Sequence, residues 1–197
     1  MIKLKNIKNI LFDCDGVLYQ DLEAVFGQVS KKMTEYISKK LNLDLKVARE
    51  LQRSYFHKYD TSLNGLMIHH DIPPREFLDY VHNIDVSSLR KDLKLQKILK
   101  FLPGNKYIYT NGSKSHAINV MKRLGINNYI TKIFDIENAN YIPKPSMKPL
   151  KYFIKKYNIL AKEAIFFEDI PKNLINPKKV GFQTVLIKNN SHPDNNT

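Results

Sequence analysis

Hydrophobic and polar positions along the chain follow two rhythms. Ile7 to Phe12 is a short apolar run that stops at Asp13, the pattern of a buried strand leading into a loop. From Asp21 to Leu41 the spacing becomes helical, with Leu22, Val25, Val29, Met33, Tyr36 and Ile37 on one face. Asp44 then reads as the N-cap of a second helix, with Val47, Leu51 and Tyr55 turned inward. Asp71-Ile72-Pro73-Pro74 predicts a turn, Glu76 to His82 a helix, and Leu93 to Phe101 an amphipathic helix stopped by Pro103-Gly104. Beyond that point apolar strand-like runs alternate with helices. The strands are Tyr107 to Thr110, a short piece within Ile130 to Ile136, Ala164 to Phe167 and Thr184 to Ile187. The helices are Ser113 to Leu124 (closed by Gly125), Met147 to Tyr157 and, in part, Leu174 to Val180. Alternation of this kind predicts an α/β fold, a Rossmann-like parallel sheet with helices on both faces. The all-helical stretch after the first strand reads as an insertion. The expected division is a core of residues 1–18 and 92–197 with an inserted helical cap of residues 19–91.

Composition narrows the class. At 197 residues and 43% hydrophobic, the chain can bury a core without staples. Cys14 is the single cysteine, so no internal disulfide forms and a reducing, cytoplasmic setting is expected. Residues 1–5 are too polar for a signal peptide, and no apolar run approaches the roughly 20 residues of a membrane span. The tail from Asn189 is polar and expected to be loose. The formal net charge of +13 comes almost wholly from scattered Lys, with five Arg. It reads as a solvated basic surface that also attracts small anions. A basic nucleic-acid-binding protein is the contrasting reading.

Four polar clusters fall at or near the carboxyl ends of predicted strands, the edge where open parallel sheets bind ligands. They are Asp13/Asp15, Thr110-Asn111-Gly112, Lys144 and Glu168-Asp169. Taken alone, Asp13 and Asp15 fit an Asp-Gly turn as well as a cation site. The Thr110 cluster fits a helix cap as well as an anion cradle. Lys144 lies between two prolines and fits an exposed turn or a fixed counter-charge, and Glu168-Asp169 fits a cap or hard-oxygen ligands. Their joint order and position favour a site.

These residues resemble the haloacid dehalogenase superfamily of phosphohydrolases. Asp13-x-Asp15-Gly16-Val17-Leu18 matches its first motif, Thr110-Asn111-Gly112 the second, Lys144 the third, and Glu168-Asp169 with Asn173-Leu174 and Gly181 to Val185 the fourth. A narrower likeness links Ser54 to Tyr59, Ser62 to Leu66, Phe77 to Asp85 and Thr110 to Ala117 to pyrimidine 5′-nucleotidases. The resemblance implies that Asp13 attacks phosphorus and that Asp15 acts as acid, then base. It implies that Thr110 and Asn111, with Gly112, hold the phosphoryl oxygens and that Lys144 neutralises charge. It further implies a Mg²⁺ bound by Asp13, the Asp15 carbonyl and Asp169, with Glu168 in or beside the shell. Two departures stand out: Glu168 replaces the first Asp of an Asp-Asp pair, and Asn176-Pro177-Lys178-Lys179 interrupts a small-residue helix.

The remaining polar and aromatic residues are read more plainly. Cys14 is expected to point away from the aspartates by strand alternation. His69 and His70 diverge on a helix and are not read as zinc ligands. Tyr55 and Tyr59, with His57, are candidates for stacking on a base, with cap packing as the alternative. The expected activity is therefore Mg²⁺-dependent hydrolysis of a nucleoside monophosphate, by a monomer or homodimer with no nucleic-acid or membrane partner. The alternatives are a phosphatase for another small metabolite, a phosphosugar mutase and, from another class, a non-catalytic nucleic-acid binder. A dehalogenase is disfavoured because a departing halide needs no acid such as Asp15.

Overall fold

A computed structural model describes residues 6–188; the polar segments 1–5 and 189–197, read above as a non-signal start and a loose tail, lie outside the described residues. Contacts divide the chain into two compact units, one of Met1–Leu22 with Val86–Thr197 and one of Glu23–Asp85. Residues 19–22 and 86–91 thus fall with the first unit, whereas the sequence reading placed them in the cap.

The first unit is built on a parallel sheet. Its strands are β1 (Asn9–Phe12), β2 (Asn105–Tyr109), β3 (Lys132–Phe134), β4 (Ala164–Glu168) and β5 (Gln183–Leu186), in the order β3-β2-β1-β4-β5. Every residue of β1 is buried. Successive side chains of a strand point to opposite faces, so both faces of the sheet are covered there. The helices of this unit are α5 (Leu93–Phe101), α6 (Lys114–Leu124), α7 (Met147–Lys156) and α8 (Ile175–Val180). An aromatic layer joins α7 to the sheet: Phe153 stacks on Tyr109 with ring centroids 5.4 Å apart and meets Phe134 edge-on at 5.3 Å. Ser113 caps α6 by accepting from the His116 N–H, and Gly125 ends it at a positive φ of 72°. Helix α8 is six residues long and carries the buried Pro177, as the departure in its sequence suggested.

The second unit holds α1 (Leu22–Leu41) from Glu23 onward, with α2 (Leu45–Tyr59), α3 (Ser62–His70) and α4 (Pro74–Val81). Asp44 caps α2 as expected, accepting from the Lys46 and Val47 N–H groups. The buried face of α2 is rotated from the predicted one: Ala48 and Gln52 are buried, while Val47 is 43% exposed. The reason is polar. The Gln52 side chain accepts from Thr34 Oγ1 at 2.6 Å and donates to Ser30 Oγ at 3.1 Å, while its backbone carbonyl receives the Ser62 hydroxyl at 2.9 Å. A satisfied amide can occupy the core side, whereas hydrophobic periodicity alone would place it outside. Helix α3 contains His69 and His70, which the sequence reading placed on a helix without giving its bounds. It begins with Thr61 accepting from the Asn64 N–H, and it approaches α2 so closely that a Cβ on Gly65 would lie 2.4 Å from the Tyr55 ring. Tyr36 of α1 meets Phe77 of α4 edge-on at 5.2 Å. Among the described residues no helix is long and apolar enough to cross a membrane.

Candidate active site

Chain order and sheet order together decide where the polar clusters meet. The chain runs outward from β1 to β2 and β3, then returns to the other side of β1 as β4. The crevice beyond the carboxyl ends of β1 and β4 is therefore the switch point of the sheet. Asp13 follows β1, and Glu168 and Asp169 lie at and just past the end of β4. The Asp13 N–H donates to the Phe167 carbonyl at 2.9 Å, which fixes the first carboxylate beside the second pair.

Lys144 sits among these acids, 4% exposed. Its ammonium reaches Glu168 Oε2 at 2.7 Å, Asp13 Oδ1 at 3.0 Å and the Tyr109 carbonyl at 3.1 Å. Those three acceptors match its three N–H donors. The loop that presents it contains a cis Lys144–Pro145 peptide, and Asn111 clasps it from β2: Asn111 Oδ1 accepts the Lys144 N–H at 2.8 Å and Nδ2 donates to the Lys144 carbonyl at 3.4 Å. The Asn111 side chain thus holds the lysine loop, a task the sequence did not suggest. Thr110 is 3% exposed, and its Oγ1 accepts the Gly112 N–H at 2.9 Å, so its hydroxyl proton can be donated elsewhere.

Glu168 is fully buried and engaged on both oxygens, with Oε1 receiving the Ile170 N–H at 3.2 Å and Asn173 Nδ2 at 3.1 Å. Asn173 is a site residue legible only as part of the fourth motif. One oxygen each of Asp13, Glu168 and Asp169 lie within 4.8 Å of one another. Three carboxylates and one ammonium leave an excess of negative charge in a buried place. Burial first, then Glu168 and Asp15, push the Asp13 carboxyl up to about 8 even though Lys144 opposes the shift. Burial and Asp13 push Asp169 up to about 6, and burial raises Glu168 as well. Against burial, Asp13 and Glu168 hold the Lys144 ammonium in its charged form. A donor set of this kind fits a hard divalent cation, with Asp13 and Asp169 as ligands and Glu168 orienting Lys144 at their side.

Asp15 is arranged differently from the other acids. Its Oδ1 accepts the Tyr19 hydroxyl and lies 2.8 Å from His116 Nε2. Of the four residues read as metal-binding, Asp15 is the one whose carboxylate is engaged with Tyr19 and His116 rather than grouped with the other three. Tyr19 and His116 were not singled out from sequence. Tyr19 closes the same loop, and His116 sits one turn into α6 by virtue of the Ser113 cap. Cys14 is fully buried, and burial raises its thiol far above the ordinary range. Its Sγ lies within 4.8 Å of an Asp15 oxygen and a His116 nitrogen, so it does not point away from both aspartates. Strand alternation ends at Phe12, and the turn that follows obeys no such rule. Gly16, at φ 77°, completes that turn, because a Cβ there would lie 2.1 Å from Asp169 Oδ2.

Tyr55 and Tyr59 belong to the helical unit. They meet edge-on at 5.6 Å, Tyr55 stacks on His69 at 5.4 Å, and the Tyr55 hydroxyl lies 2.8 Å from His70 Nε2. The two histidines thus pair with tyrosines on α2.

A parallel α/β sheet with carboxylates at its switch point and a helical insertion after the first strand defines a hydrolase class, and comparison with known proteins gives the family. The chain matches the haloacid dehalogenase-like hydrolases over residues 10–187 and belongs to that family. It is 25% identical to a glyceraldehyde 3-phosphate phosphatase of Methanocaldococcus jannaschii, over 95% of this chain and 88% of that one. Among solved structures it resembles a phosphatase of the family from Thermococcus onnurineus, with a TM-score of 0.61, 21% identity, and coverage of 97% of this chain and 91% of that one. It also resembles the magnesium-bound YfnB hydrolase of Bacillus subtilis, with a TM-score of 0.57, 15% identity, and coverage of 92% and 87%.

Proposed function

We propose that the protein is a Mg²⁺-dependent phosphomonoester hydrolase working through an aspartyl-phosphate on Asp13, with nucleoside 5′-monophosphates as its substrate class. The observation that carries this reading is Lys144 set between Asp13 and Glu168, beside an Asp15 held apart in its own network. In the first step an Asp13 oxygen bonds to phosphorus while the ester P–O bond breaks, and Asp15 gives its proton to the departing alkoxide. In the second, water attacks phosphorus, Asp15 takes its proton, and the bond to Asp13 breaks to release phosphate. Thr110 and the Asn111 backbone N–H would hold the phosphoryl oxygens, and Lys144, together with a bound cation, would favour the ionised form of Asp13 and offset the phosphoryl charge. Bound Mg²⁺ would supply further charge neutralisation between nucleophile and phosphate. The net positive charge favours an anionic substrate.

The nucleotide assignment is supported by the cap motifs; Tyr55 and Tyr59, packed on each other and on His69, match the cap-packing alternative rather than base stacking. A second reading, a phosphatase for a small sugar phosphate, is favoured by the substrate in the name of the M. jannaschii relative. Phosphate release from UMP, CMP, AMP and glyceraldehyde 3-phosphate, with and without a chelator, separates the two. Nucleotide turnover that stops on chelation is expected. Turnover confined to the triose phosphate would replace the first reading by the second.

The buried acids also predict a pH signature for the metal-free protein. Asp13 and Asp169, raised to about 8 and about 6, keep protons in the folded chain that an unfolded chain releases near its ordinary carboxylate values. The folded state then binds more protons than the unfolded one, so stability falls as pH rises from about 4 to about 8. Asp15, Glu168 and Lys144 face the same charges and are part of that balance. Added Mg²⁺ is therefore expected to raise Tm more at the alkaline end of this window than at the acid end. An equal rise at both ends, read by calorimetry, would detach the cation from these carboxylates.

A further inference from the structure

Two polar side-chain groups from separate parts of the chain converge on a single oxygen of Asp15. The Tyr19 hydroxyl reaches back along its own loop, and His116 Nε2 arrives from the first turn of α6 at 2.8 Å. Both partners are rigidly placed: Tyr19 is 5% exposed and His116 1%. His116 is anchored by its backbone, because its N–H donates to Ser113 Oγ at 3.3 Å. The carboxyl torsion of an aspartate is broad and nearly two-fold, so nothing in the side chain itself decides which oxygen faces a substrate. A neutral carboxyl group has one carbonyl oxygen, which accepts hydrogen bonds, and one hydroxyl oxygen, which carries the proton. When two donors occupy Oδ1, that atom is the acceptor and the proton belongs on Oδ2.

We propose that Tyr19 and His116 are positioning residues that pin Oδ1 of Asp15 and thereby assign proton transfer with the leaving group to Oδ2. The proposal rests on the phosphatase reading and deepens it. The His116 ring takes the tautomer with hydrogen on Nε2. In the first step the Oδ2–H bond breaks, its proton passes to the alkoxide oxygen, and the resulting carboxylate keeps both hydrogen bonds on Oδ1.

The test compares esters that differ in their need for that proton. An alkyl phosphate expels a strongly basic alkoxide, whereas p-nitrophenyl phosphate expels a weakly basic phenolate. Leaving-group release is measured in a single turnover for Tyr19→Phe, His116→Ala, His116→Gln and the Tyr19→Phe/His116→Ala pair, with folding checked by circular dichroism. In the paired variant, release from the alkyl ester is expected to fall on the order of 10²-fold in rate with little change in KM. Release from the aryl ester should fall by at least about tenfold less, because acid catalysis contributes little there. The Gln variant, whose amide N–H can reach toward Oδ1, should recover much of the alkyl rate lost in the Ala variant. Equal losses on both esters, or an unchanged alkyl rate, would overturn the positioning role while leaving the phosphatase reading intact. A wild-type protein inactive on both esters would overturn the two together.

Discussion

Asp13→Asn is expected to remove nearly all phosphatase turnover, by about 10⁴-fold or more, because a nucleophile that forms a covalent intermediate has no substitute in the site. The variant should nonetheless fold. An amide oxygen still accepts the Cys14 N–H and the Lys144 ammonium, which in the native chain reach Asp13 Oδ1 at 2.7 and 3.0 Å. The substitution also removes a charge that burial and Glu168 disfavour, enough to hold the native group up to about 8. Its metal-free Tm at neutral pH should therefore equal or exceed that of the wild type. Activity near the wild-type level would show that Asp13 forms no phosphoenzyme. An unfolded variant would show that the carboxylate has a structural role the geometry does not indicate.

Lys144→Met is expected to have the opposite profile, a large loss of stability together with activity. Lys144 answers two buried carboxylates at once, and removing one partner of a buried ion pair costs about 3–5 kcal/mol. The loss should shrink at acid pH, where Asp13 and Glu168 take up protons and no longer need the ammonium. Adding Glu168→Gln to the variant should return part of the stability, since the second substitution removes a charge the first left unanswered. Urea unfolding of the single and double variants across pH checks this, and a pH-independent loss would assign the cost to packing rather than charge.

The sheet was legible because most of its strands carry an apolar run, and because three of those runs lead directly into candidate site residues, Asp13, Thr110 and Glu168, while Lys144 lies in a loop after β3. Asp13, Lys144, Glu168 and Asp169 are brought together by the strand order, which alternation of strands and helices does not by itself fix. What escaped the sequence depends on contacts between distant segments. Gln52 sits inside because Thr34 and Ser30 satisfy its side-chain amide. Helix α3 has an apolar composition without a clean stripe, and its placement turns on the space left by Gly65 against Tyr55. Tyr19 and His116 look like ordinary loop and helix residues until the fold points both at Asp15. Cys14 was misdirected by carrying strand geometry one turn too far.

The middle position of β1 bears on how the chain is made. Asn9 pairs with Asn105 on one side and with Ala164 on the other, so the strand that leads to Asp13 finds its neighbours only after long intervals of sequence. On a ribosome β1 emerges before both of its neighbours and must wait for them, while the helical insertion, rich in local contacts, can already form. Asp169 enters the chain after Asp13, Lys144 and Glu168. No nascent fragment short of that residue contains the full set of carboxylates, so the candidate centre assembles only once β4 has been made.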